Sequence, residues 1–112
     1  MAATTWTAKA IKARILTPTE NPAKDLEWIE RSILAIYARQ TSAEQHQRET
    51  RLDNGVGFSA FDAQLGSYLA EYLRSGRHLS GQWVAKGRRL AARYARQLAE
   101  AAEARAAGRV LA

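Results

Sequence analysis

The residues able to do acid–base or metal chemistry are few and scattered in this chain. Its only histidines, His46 and His78, lie in separate polar segments, and neither has an acidic neighbour at a spacing such as HExxH. Each reads as a surface or helix-terminal side chain. Cysteine is absent, which excludes disulfides, thiolate nucleophiles and Cys-ligated zinc or iron–sulfur sites. The expectation is a protein that binds rather than catalyses, with no metal and no cofactor.

The stronger signal is charge. From Glu71 to Ala112 nine Lys/Arg stand against three Asp/Glu, a surplus of 9 − 3 = +6 that equals the net charge of the whole chain. Lys86, Arg89, Arg93 and Arg96 recur at intervals of three, four and three residues, which lines them along one side of a helix. No acid interrupts the stretch from Arg74 to Arg96, and Arg74, Arg77 and Arg88 extend the same patch. Charged residues facing away from a core are what any amphipathic helix displays. The uniform sign goes further and suggests an anionic partner, either the backbone of DNA or RNA or an acidic protein surface. Arg predominates in this stretch, and its planar fork suits phosphate oxygens better than the Lys ammonium does.

The segment Asp53-Asn54-Gly55-Val56-Gly57-Phe58 lacks the GxxxxGK[ST] pattern of a phosphate-binding loop. It reads as a turn in which Asn54 and Gly55 reverse the chain while Val56 and Phe58 anchor it on the core. A contact role for Asn54, Gly55 and Gly57 is the alternative, since N–H groups ahead of a helix can meet an anion.

Elements must position these groups. A chain of 112 residues, 46% hydrophobic and 25% charged, fits one domain with a modest core. The first sixteen residues are compatible with a strand, in which Ile11, Ala13 and Ile15 alternate, or with a short helix presenting either Trp6, Ala10 and Ala13 or Ile11 and Ile15. Residues 1–20 are therefore set apart as an N-terminal extension, and 21–112 as the helical domain. Asn21-Pro22 signals a helix start, and Leu26, Ile29, Ile33, Ile36 and Tyr37 form an apolar stripe to about Gln40. Thr41-Ser42-Ala43-Glu44 has the form of a capping box. Ser59 and Asp62 resemble another start, with Phe61, Leu65, Leu69 and Leu73, joined by Tyr68 and Tyr72, on the buried side until Gly76.

Ser80 is the expected cap of a last helix with Trp83, Val84, Leu90, Ala91, Tyr94 and Leu98 on one side, opposite Lys86, Arg89, Arg93 and Arg96. Gly87 falls in the apolar arc, where a neighbouring helix can approach closely. The fold expected is all-α: a compact bundle of three to four main helices, with an N-terminal strand or short helix and an exposed Ala-rich end at 99–112. That Ala-rich end and Gly87 also suit pairing of two copies as a homodimer.

No apolar run approaches the roughly 20 residues of a membrane span. The opening MAATTWTAKAIKARIL is basic and free of acids until Glu20, as transit peptides often are, but it runs on into Pro18 and Pro22 without a break in composition. A cytoplasmic protein with no membrane partner is the expectation.

Several short motifs carry a resemblance. Ile36 to Thr41, Glu44-Gln45, Asn54 to Phe58, Phe61-Asp62-Ala63, Gly76-Arg77-His78-Leu79-Ser80 and Arg93-Tyr94-Ala95-Arg96-Gln97-Leu98 together resemble a small domain of bacteriophage and mobile-element proteins, found alone and beside helicase or replication modules. The resemblance covers the central and last thirds of the chain. It implies a phage or prophage setting in a bacterial cell and proximity to DNA metabolism, with no established activity. In such a setting two roles present themselves: an accessory that contacts nucleic-acid phosphates, or an inhibitor of a host defence system, of the anti-CRISPR kind, acting on a protein partner.

Overall fold

The computed structural model describes residues 6–40 and 57–111, with side chains described as far as residue 106. Five helices occupy the described residues: α1 (Ala8–Leu16), α2 (Pro22–Ala38), α3 (Ala63–Arg74), α4 (Gln82–Ala92) and α5 (Ala95–Leu111). There is no strand among them. The capping-box segment Thr41–Glu44, His46, Asn54, Gly55 and Val56 lie outside the described residues.

The ambiguity at the N-terminus resolves as helix. Thr7 caps α1 by accepting from the Ala10 N–H at 3.1 Å. Ile11 and Ile15 are buried one turn apart, whereas Ala13, which a strand would place beside them, is exposed. Within the stretch set apart from sequence as an extension, Ile11 and Ile15 are thus part of the core, because α1 packs on α4 and α5 as well as α2.

Helix α2 touches every other helix and packs most extensively on α3 and α4. Asn21 accepts from the Lys24 N–H at 3.2 Å and Pro22 occupies the first turn, as the sequence indicates. Ile29, Ile33 and Ile36 are completely buried, each contributing about 1.5–3 kcal/mol by leaving water. Gly87 of α4 meets this stripe directly. A Cβ there would stand 2.9 Å from Leu79 Cδ1, 3.2 Å from Ile29 Cγ2 and 3.3 Å from Ile33 Cδ1, so the close approach expected from its place in the apolar arc is realised.

Three details differ from the sequence expectation. Ser80 does not cap α4; Gly81 does, with φ +57°, while the Ser80 carbonyl accepts from the Trp83 N–H. Phe61 lies in the turn before α3 and is 87% exposed instead of buried. The expected single last helix is two helices, interrupted at Arg93-Tyr94. There Arg93 N–H bonds the Leu90 carbonyl and Tyr94 N–H bonds that of Ala91, the tighter i→i+3 pattern, before α5 begins. The Ala-rich end continues as α5, with Ala99, Ala101 and Ala102 half-buried and residues 103–106 exposed.

Asp25 ties the α1–α2 junction. Its carboxylate accepts from the Thr19 N–H (2.7 Å), the Thr19 hydroxyl (2.8 Å) and the Arg14 guanidinium (2.9 Å). The Thr19 backbone bond first, then the hydroxyl and Arg14, hold its pKa below the usual 3.8. A carboxyl so lowered lends stability that is present above its ordinary pKa and lost as the pH falls through the folded-state value. Urea unfolding followed from about pH 5 to about pH 2 should show that acid loss, and Asp25→Asn should flatten it.

Helix α3 meets the preceding loop through Phe58, which is buried to 1%. A Cβ on Gly66 would lie 2.6 Å from two Phe58 ring atoms and 2.7 Å from a third. Gly66→Ala should therefore lower stability by about 1–3 kcal/mol in chemical denaturation, even though Ala is the better helix former by roughly 1 kcal/mol.

Candidate functional site

Seven cations were expected on one continuous face, and the structure divides them. Arg93 is committed: its guanidinium donates to Asp62 Oδ1 at 3.1 Å. Asp62 Oδ2 accepts from the Tyr94 hydroxyl at 2.6 Å. The same hydroxyl accepts from the Ser59 N–H at 3.0 Å, and Tyr94 stands edge-on to Phe58. Arg93 is thus part of a clasp at the start of α3. Arg96, exposed on α5, lies beyond the helix break, and Arg88 is half-buried with its Nε enclosed.

The loop-contact reading of Gly57 is overturned. Gly57 is buried, its N–H donates to Gln97 Oε1 at 2.8 Å and its carbonyl accepts from Gln97 Nε2 at 2.9 Å. Both backbone groups are therefore used by one side-chain amide, which leaves no N–H for an anion. Its φ of +82° suits glycine. Phe58 does anchor the loop, as expected.

His78 is likewise a fastening. Its Nδ1 lies 2.9 Å from Glu30 Oε1, while Glu30 Oε2 accepts from the Leu79 N–H at 2.8 Å. One carboxylate on α2 thereby holds the turn between α3 and α4 and seats Leu79 in the core. No group of three or more metal-ligating side chains occurs among the described residues.

Three of the remaining cations lie over aromatic rings. Arg77 lies over Tyr72 (5.4 Å to the ring centroid) and Lys86 over Trp83 (4.8 Å). Between those two rings stands Tyr68, 6.5 Å from Tyr72 in a stacked arrangement and 6.1 Å from Trp83 at a tilt of 45°. Arg74 lies over Tyr37 of α2 at 5.9 Å. Arg89 follows Lys86 by three residues on the exposed side of α4. The row Arg77–Tyr72–Tyr68–Trp83–Lys86 spans two helices and the turn between them.

Compared with protein-family models, curated proteins and solved structures, the chain matches none of them. The site must accordingly be read from its own chemistry.

Sequence periodicity assigned Tyr68, Tyr72 and Trp83 to the core side. Tyr72 and Trp83 are half-buried, but Tyr68 is 47% exposed. The tyrosines' spacing of four puts them on one side of α3, while their nearness to Trp83 depends on how α3 and α4 pack on α2. An open groove of about 810 Å³ between α2 and α5, floored by Trp28, Leu34, Leu98 and Ala101, includes none of these cations. No described helix is long and apolar enough to cross a membrane.

Tyr94 offers a check on the clasp. Burial first, and the bond to Asp62 second, push its phenol above the usual 10.0. An acid whose folded pKa is raised keeps the fold at full stability below its ordinary value and costs stability as the pH rises beyond it. Tyr94→Phe should remove that alkaline loss. At neutral pH it should destabilise the protein by about 1–3 kcal/mol, because Ser59 N–H and Asp62 Oδ2 lose their partner; thermal and urea unfolding measure both effects.

Proposed function

We propose that this protein is a non-enzymatic binding module that contacts nucleic-acid phosphates, as an accessory to DNA metabolism in a phage or prophage setting. The observation that carries the reading is a division of labour among charges. Acids pair with Arg14, Lys24, Arg31, Arg39 and Arg93. Arg74, Arg77, Lys86 and Arg89, which follow one another along the α3–α4 region, have no carboxylate within ion-pair distance among the described residues. Bringing such cations together raises the local positive potential, and a polyanion that displaces counterions relieves it.

The interface is consequently narrower than the full basic stretch. Arg77, Lys86 and Arg89 face the partner, Arg74 borders them, and Arg93 serves the fold.

Salt titration tests this. Binding of an oligonucleotide followed by anisotropy should weaken linearly in log K against log salt. Lys86→Ala and Arg89→Ala should each flatten the slope by about 0.7–0.9, whereas Arg93→Ala should leave it unchanged. No binding of DNA or RNA at low salt, together with a nuclease-resistant complex with an acidic host protein, would replace this reading with that of a host-defence inhibitor.

A further inference from the structure

We propose that the Tyr68 ring is a stacking platform for an unpaired base, so that the preferred partner is single-stranded nucleic acid. The inference rests on the phosphate-binding reading above and adds the form of the strand.

Tyr68 is held but not covered. Its ring is braced by Tyr72 on its own helix and by Trp83 across the gap to α4, and those two rings are themselves half-buried against the core. Nearly half of Tyr68 nevertheless faces solvent. A ring immobilised in this way loses little freedom when a base settles on it, which favours binding over a mobile side chain of the same chemistry.

The cations stand where the strand would need them. Arg77 lies over Tyr72 and Lys86 over Trp83, the two rings that contact Tyr68. A base on Tyr68 would send its two flanking phosphates toward those two rings, each to a cation that has no carboxylate partner among the described residues. Aromatic faces within a basic groove are how proteins grip single strands irrespective of sequence, since every base has a π-face. Bases in a duplex are already stacked on one another and cannot use the ring. An acidic protein surface would exploit Arg77 and Lys86 but would gain little from a partly exposed tyrosine ring beside them.

The experiment uses the full chain with a labelled oligothymidine of about twelve nucleotides and a duplex of equal length, titrated at one low salt concentration. The single strand should bind several-fold more tightly. Tyr68→Ala, at an exposed helix position where Ala is well tolerated, should weaken single-strand binding roughly 5- to 100-fold while leaving duplex binding and the salt slope unchanged. Tyr68→Phe should restore the preference, because it keeps the ring. Equal affinity for both forms, or a Tyr68→Ala variant within about two-fold of the parent on the single strand, overturns the platform while the phosphate reading stands. Failure of both oligonucleotides to bind overturns both, including the outcome in which an acidic protein is the true partner.

Discussion

One apolar stripe organises the molecule. Ile29, Ile33 and Ile36 run along α2 and are fully buried, under contacts that several helices share. The chain achieves this by laying its other helices around α2 and by placing Gly87 where α4 crosses closest. A side chain at that crossing would crowd Leu79, Ile29 and Ile33, so the seat of α4, which carries Trp83 and Lys86, depends on a contact in the core.

Polar chemistry inside the fold serves mainly to fasten loops. Glu30 grips the α3–α4 turn, Gln97 grips Gly57, and Asp62 with Tyr94 joins the start of α3 to the break between α4 and α5. These bonds occupy groups that would otherwise be stranded away from water. They also draw acids inward, Asp25, Glu30 and Asp62 being buried. Acid on the inside leaves cation on the outside, and part of the surface potential follows from how the loops are tied.

What was legible in the sequence reflects which signals are local. The Asn21-Pro22 start, the α2 stripe, the Gly76 stop with φ +93° and the Gly87 crossing all declare themselves in spacing or residue type. The interruption at Arg93-Tyr94 does not, because no Gly or Pro marks it. It arises where Tyr94 reaches a carboxylate and a backbone amide far away in sequence. The same limitation hid the aromatic row. Periodicity put Tyr68 and Trp83 on apolar sides of separate helices, and only the packing of both helices on α2 brings their rings together. The segments Gly57-Phe58, Phe61-Asp62-Ala63, Gly76 to Ser80 and Arg93 to Leu98 largely turn out to supply the fastenings. They speak to how the fold is held more directly than to what it meets.

The seam between α1 and α5 has a consequence for how the core closes. Ile11 and Ile15 lie on α1, yet the surfaces that cover them belong largely to α4 and α5, far along the chain. Until those two helices dock, α1 has only α2 to lean on. Closure of the core is therefore a long-range event, and in a partly folded chain the first helix is an amphipathic segment whose apolar side awaits its cover.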